Sequence, residues 1–294
     1  MKPTFVVLTD LSPRAFRAAY FAAVLAAAVG AELRLLHLEA EAVIEPEFGM
    51  LPLPADYLDQ QQRDATTALA ELVRLLPAPA QVQPRRGALA DTLQELVRHE
   101  PPALLVLSYA AGYDLFDQLL HNYALPALRD THLPLLLVPE DAAQDPAPPR
   151  RVALAVDGEY FRLSPEACRT AALLQQCQPE YTVVHVAEPS GPALDMRSAL
   201  RTARSGGLLP ADAPDSTYLL RHDSRGGGLA QAATDTQADL LVLVSRPRSL
   251  LAELLPCTLA ATVARHCPVP VLLLPAVAVP VPTAAYPAYD GLRY

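Results

Sequence analysis

An apolar run, Leu240–Ser245, leads directly into Arg246-Pro247-Arg248. In open parallel sheets the loop after a strand often cradles a nucleotide phosphate, and glycines there let backbone N–H groups approach the anion. This loop has no glycine. Its two guanidinium groups could contact an anion as charge-assisted donors, or stand as a solvated pair beside a proline turn. Asp10 and Asp157 each close an apolar run. Each could terminate its strand by accepting from the next loop's backbone. His37 and His185 also end apolar runs, but no H-x-H or H-E-x-x-H spacing surrounds them, so they read as strand-end histidines and not as metal ligands. No Ser-His-Asp or Cys-His set can be assembled from local signals. The reading therefore assigns no catalytic residue, no metal and no cofactor.

The elements that must hold these residues occur twice. FVVLTD (5–10) is echoed by VALAVD (152–157), and LRLLHLE (33–39) by YTVVHVAE (181–188). ALLVLS (103–108) is echoed by DLLVLVS (239–245), and LPLLLVP (133–139) by VPVLLLP (269–275). Leu-Ser-Pro recurs at 11–13 and 163–165, a serine N-cap with proline at the first helical position. The second copy carries five extra residues, GEYFR (158–162), before that tripeptide. Short continuous apolar runs alternating with helical stretches such as 56–76 predict parallel sheets covered on both faces. Strands are expected at 4–9, 33–38, 81–86, 103–108 and 133–138, then at 151–156, 181–186, 217–222, 239–244 and 269–274. The spacing gives a first unit over 1–140, a polar, proline-rich linker over 141–150, a second unit over 151–276 and a Pro-rich tail over 277–294. The one glycine run, in RHDSRGGGLAQAA (221–233), lacks both the G-x-G-x-x-G register and the P-loop lysine and reads as a flexible strand-to-helix turn.

The chain of 294 residues is 51% hydrophobic, enough for two cores, and carries a net charge of −9. The first 140 residues hold 10 basic and 17 acidic side chains and the remainder 13 and 15, so neither part suits a polyanion and nucleic acid is excluded as a partner. The four cysteines, Cys168, Cys177, Cys257 and Cys267, are too widely spaced for a C-x-x-C motif and read as reduced thiols. FAAVLAAAVGAELRLL (21–36) has an uninterrupted apolar stretch too short to span a bilayer and reads as a buried helix. The chain begins on a strand-like segment with no charged-then-apolar leader. The expectation is a soluble cytoplasmic protein with no membrane partner.

An apolar strand ending in aspartate, a Ser-capped helix, a second strand ending in Leu-His or Val-His, and the late segment ADLLVLVSRPRS…VARHCPVPVLLLP together resemble the universal stress protein family, once per half over residues 3–276. The resemblance implies a doubly wound α/β fold of the adenine-nucleotide alpha hydrolase-like type, with strand order 3-2-1-4-5 in each parallel five-stranded sheet. In the nucleotide-binding branch, a Gly-x2-Gly-x9-Gly-Ser/Thr loop after strand four holds ribose and phosphates. The matching glycine slots here are Ser108, Ala111 and His121 in the first half, and Ser245, Arg248 and about Cys257 in the second. The residues that would touch a nucleotide-like ligand are Asp10, Leu38 and Asn122, then Asp157, Val186, Arg248 and Thr258. Side chains in every glycine slot fill the path of a polyphosphate.

The resemblance thus implies a stress-response or regulatory binding protein with degenerate phosphate loops that does not bind ATP. The alternatives are a binder of an adenine nucleotide or other small ligand through altered phosphate contacts, with slow nucleotide hydrolysis left open, and a different doubly wound enzyme such as a small-molecule transferase. The two halves are expected to pack as a pseudo-dimer through their last strands, leaving room for a homo-oligomer or a protein partner.

Overall fold

The tripeptide repeat begins both halves of the fold in the same way. In a computed structural model describing residues 2–37, 55–83, 89–99, 101–109, 133–191, 195–245 and 259–277, strand β1 (Thr4–Thr9) ends at a tight turn into helix α1 (Pro13–Val29). Ser12 caps α1 by accepting from the Ala15 N–H, and Ser164 does the same from Ala167 for α4 (Pro165–Gln175). Proline at the first helical position costs no hydrogen bond there. Gly30 ends α1 in the left-handed conformation, φ 65°, with its N–H on the Ala26 carbonyl.

The first half continues with β2 (Glu32–His37), α2 (Ala55–Leu75), β3 (Ala80–Gln83), α3 (Leu89–His99), β4 (Leu104–Tyr109) and β5 (Leu135–Pro139). The second half runs β6 (Arg151–Ala155), β7 (Arg162–Leu163), α4, β8 (Glu180–Ala187), α5 (Met196–Ser205), β9 (Thr217–Arg221), α6 (Arg225–Asp235), β10 (Leu240–Ser245), α7 (Leu259–His266) and β11 (Val271–Val277). All ten expected strands are present, with their ends moved by up to three residues.

The strand order is β3-β2-β1-β4-β5-β11-β10-β6-β8-β9. Each half is therefore a parallel 3-2-1-4-5 sheet once β7 is set aside. The two sheets are continuous, because β5 and β11 pair antiparallel through Leu135↔Leu273, Leu136↔Leu272 and Leu137↔Val271. Leu136 and Leu272 are equivalent positions of the two repeats. The pairing is thus centred on a residue facing its own counterpart, as an isologous two-fold contact requires. The pair also covers what would otherwise be two exposed edges.

Both faces of the sheet are buried, which explains the continuous apolar runs. Phe5 and Val7 point into a core under α1, α2, α4 and α5, while Val6 and Leu8 point into the opposite core under α3, α6 and α7. Six alanines of α1 (Ala15, Ala18, Ala19, Ala22, Ala23, Ala26) are buried, so this helix lies close to the sheet. Among the described residues no helix is long and apolar enough to cross a membrane. Further bonds tie the halves together. The Tyr109 hydroxyl donates to the Cys267 carbonyl at 3.2 Å, and the Thr170 hydroxyl to the Ala103 carbonyl at 2.6 Å. Burial pushes the Cys267 thiol up to about 11, so it stays protonated as a core side chain.

Two details differ from the sequence reading. The extra residues of the second half are not a plain loop. They place Phe161 in the core at 2% exposure and form β7, which pairs antiparallel with the end of β11 (Leu163↔Ala276, Arg162↔Val277). The glycine run is not a flexible turn either. Gly226, Gly227 and Gly228 lie in the first turn of α6, capped by Ser224.

Candidate functional site

In doubly wound sheets, ligands bind outside the carboxyl ends of the strands where the winding reverses. Here those points are between β1 and β4 and between β6 and β10.

At the first point, Asp10 is committed to its own loop. Its Oδ1 accepts from the Ser12 N–H at 3.0 Å and from the Ser12 hydroxyl at 2.5 Å, and its Oδ2 accepts from Arg14 at 3.0 Å. The turn holds Leu11 at φ 62°, a conformation unusual for leucine, with its N–H bonded to Thr9 Oγ1 at 3.1 Å. Half-burial works to raise the Asp10 carboxyl, but the Ser12 hydrogen bonds and the Arg14 guanidinium outweigh it and hold it below the usual carboxylate range. A depressed carboxyl adds stability that is complete above its unfolded value and lost as pH falls through the folded one. Replacing Asp10 with Ala is therefore expected to cost about 1–2 kcal/mol at neutral pH and almost nothing well below the carboxylate range. Urea melts at the two pH values check this; an equal loss at both would refute it.

At the second point the chain forms a cavity of about 580 Å³. Its floor is apolar: Ala155 and Leu243 from β6 and β10, Phe161 from the extra segment, Val186 from β8 and Leu229 from α6. Phe161, Val186, Leu229 and Leu243 are all buried. The rim is acidic, with exposed Asp157, Glu159, Glu188 and Asp195 around a single described cation, Arg225. Arg225 lies 3.6 Å from Glu188. Asp157 accepts from the Glu159 N–H at 3.1 Å, and Asp195 caps α5 by accepting from the Arg197 N–H.

His185 lines the same cavity, and its Nδ1 lies 2.8 Å from the Val156 carbonyl. A carbonyl can only accept, so Nδ1 carries the proton and Nε2 is left as an acceptor. The loop after β8 is held by Arg221, whose Nη1 donates to the carbonyls of Glu188, Pro189 and Gly191 at 2.9–3.0 Å. The glycine run packs behind this wall. A Cβ at Gly228 would sit 2.6 Å from Val186 Cγ1, and one at Gly226 would sit 2.5 Å from Thr262 Cγ2. These glycines let α6 reach β8 and α7, which is a packing role and not phosphate chemistry.

The structure thus brings Asp157, Val186 and His185 to one cavity and places Asp10 in the turn after β1. Leu38, Asn122, Arg248 and Thr258, with Arg246 and most of both strand-four loops, lie outside the described residues. Sequence reading missed Glu159, Glu188, Asp195 and Arg225 as rim residues. Glu188, three residues past His185, and Arg225, directly before the glycines, were the available signals. Among the described residues no group of three or more His, Cys, Asp or Glu could hold a metal ion.

Two linked doubly wound α/β units, each with its switch point at the carboxyl ends of parallel strands, define a tandem α/β protein. The universal stress protein family profile matches twice, over residues 1–139 and 149–275, and the chain belongs to that family. Solved structures share the whole arrangement. A universal stress protein from Archaeoglobus fulgidus DSM 4304 is 17% identical with a TM-score of 0.63, covering 93% of this chain and 96% of that one. A functionally unknown protein from Pseudomonas aeruginosa PAO1 is 14% identical with a TM-score of 0.52, covering 94% and 93%. The cytoplasmic domain of a prokaryotic cation chloride cotransporter is 13% identical with a TM-score of 0.50, covering 93% and 95%. At these identities the likeness is one of fold. No curated protein sequence matches the chain.

Proposed function

We propose that this universal stress protein is a regulatory binding protein of the stress response, acting in the cytoplasm, that does not hold ATP. Its two units, 1–140 and 151–276, are joined by the linker 141–150. The observation that carries the reading is the charge of the second cavity. Asp157, Glu159, Glu188 and Asp195 line it together with Arg225, which lies 3.6 Å from Glu188. In the sequence, the segment after β10 adds Arg246 and Arg248 and also Glu253. An MgATP polyphosphate entering there meets repulsion, and finds side chains where a phosphate loop needs glycine. In the first half, both oxygens of Asp10 are already occupied by Ser12 and Arg14, which leaves the aspartate a poor receptor for ribose or adenine hydroxyl and amino groups.

A second reading is favoured by the same cavity. Its size and apolar floor suit a small molecule, so the second half is a ligand site of altered chemistry while the first serves as scaffold. Asp157 and Val186 would contact that ligand, with Arg248 and Thr258 from the strand-four loop. Protein purified without added nucleotide, denatured and chromatographed, is expected to release less than about a tenth of an equivalent of adenine nucleotide. Near-stoichiometric release would overturn the proposal.

A further inference from the structure

We infer that His222 is a proton-operated latch on the first turn of α6, and through that turn on one wall of the second-half cavity. The latch concerns the shape of that wall and not what the cavity holds.

His222 stands between β9 and α6, two residues before the cap Ser224. The Ser224 N–H donates to His222 Nδ1 at 2.9 Å. An N–H can only donate, so this nitrogen carries no proton and the ring is neutral, with its proton on Nε2. The same Ser224 holds the helix start. Its hydroxyl accepts from the Gly227 N–H at 3.3 Å, and its carbonyl from the Gly228 N–H at 2.8 Å. The imidazole is seated against these glycines. A Cβ at Gly227 would lie 3.0 Å from His222 Cε1, and one at Gly228 would lie 2.9 Å from His222 Cβ. From this turn α6 supplies Arg225 and Leu229 to the cavity. One hydrogen bond thus joins a titratable ring to the cap, and the cap joins the wall.

The other two histidines of the second half are built the opposite way. His185 Nδ1 lies 2.8 Å from the Val156 carbonyl, and His266 Nδ1 lies 2.8 Å from the Thr262 carbonyl, so both donate. A second proton goes to Nε2 in each and leaves its bond intact. At His222 the second proton can go only to Nδ1, the nitrogen that accepts, and two donors then face each other. Histidine is the side chain whose charge changes between about pH 5 and 8. The charged and titratable groups around this one are Arg221 and Asp223 on its own turn, Arg225 on α6, Glu188 just after β8 and His266 on α7. Arg225 lies 3.6 Å from Glu188, and α7 packs Thr262 against Gly226. Asp223 favours the imidazolium, while Arg221, Arg225 and the positive end of α6 oppose it. None of them alters the outcome at Nδ1, because an imidazolium has no acceptor left for Ser224. The bond therefore contributes fully while the ring is neutral and is lost as pH falls through the ring's titration.

Amide hydrogen exchange of the intact protein at pH 7.5 and 5.0, expressed as protection factors to remove the chemical effect of pH, reads the latch. The first turn of α6, over residues 224–229, is expected to lose protection by about three- to tenfold at the lower pH, the range one net hydrogen bond supplies. The first turn of α4 is the internal control. Ser164 caps it in the same way, with Phe161-Arg162-Leu163 before the cap and no histidine, and it should keep its protection. In His222→Asn the side-chain oxygen can accept the same N–H and takes no proton in this range, so α6 should stay protected at both pH values. His222→Leu has no acceptor, and its α6 start should be poorly protected at both. Equal protection of α6 in the wild type at the two pH values, or a loss at α4 as large as at α6, would overturn the inference without any variant. So would the same pH dependence in His222→Asn as in the wild type, or full protection at pH 7.5 in His222→Leu.

Discussion

Leu136→Ala and Leu272→Ala are each expected to lower stability by about 2–5 kcal/mol, and the double substitution by less than their sum. Both side chains are 1% exposed and point into the core shared by the two halves. They face each other across β5–β11, a junction only three residue pairs long. They also border a small void of about 10 Å³ together with Phe5, Leu25 and Thr170, so truncation enlarges a gap that already exists. The cost of a truncated leucine grows with the cavity left behind. In the double variant the two holes merge, and α1 and α4, whose residues line the void, can settle into the common space. Each single loss is then larger than its share of the double. Urea unfolding with both singles and the double measures this. Losses under about 1 kcal/mol, or strict additivity, would show that the pair is not the centre of the junction.

That junction shows how much of the molecule is legible in the sequence. The repeat LPLLLVP and VPVLLLP marks both last strands and marks them as equivalent, and equivalent apolar edges in one chain pair with each other. The strand order follows from the doubled pattern with the resemblance it supports. What resisted reading was set by long-range contacts. GEYFR carries no alternation long enough to announce a strand, and β7 exists because the end of β11 offers it free backbone partners. The glycines after Ser224 resemble a turn by composition, because nothing local says that Thr262 and Val186 will lie where their side chains would be. The rim carboxylates come from two connections, Asp157 and Glu159 between β6 and β7 and Glu188 and Asp195 between β8 and α5, and only the fold gathers them. Asp10 was readable as either a ligand contact or a strand terminator, and the choice turns on Arg14, one helical turn away.

Gly228→Val is the other substitution with a large expected effect, a loss of about 3 kcal/mol or more. Glycine in a helix normally costs about 1 kcal/mol against alanine, so an unconstrained site would gain stability from a side chain. Here a Cβ at Gly228 would lie 2.6 Å from Val186 Cγ1 and 2.9 Å from His222 Cβ. Neither neighbour yields easily. Val186 is 8% exposed on β8, and His222 accepts the Ser224 N–H at 2.9 Å beside the helix cap. Overpacking must therefore push α6 away from the sheet and shift Leu229 and Arg225 at the cavity wall. Gly30→Ala makes a contrasting control, since a Cβ there meets nothing within 4 Å and only the φ of 65° is strained. A cost near 1 kcal/mol is expected for it. Thermal and urea melts that ranked Gly228→Val at or below Gly30→Ala would contradict the packing role assigned to the glycine run.

The central claim is that this universal stress protein does not hold ATP, and calorimetric titration with MgATP tests it most directly. A polyphosphate cradle draws on several backbone N–H groups, and each charge-assisted hydrogen bond contributes roughly 1.5–3 kcal/mol. Losing two or three of them removes about 4 kcal/mol or more, about a thousandfold in affinity, before the repulsion of the acidic rim is counted. Arg246 and Arg248 are the residues that could restore part of this, so the second half is where the claim is most exposed. The account predicts no saturable heat with a dissociation constant tighter than about 1 mM. A stoichiometric isotherm below about 100 µM, abolished by Arg248→Ala, would contradict it.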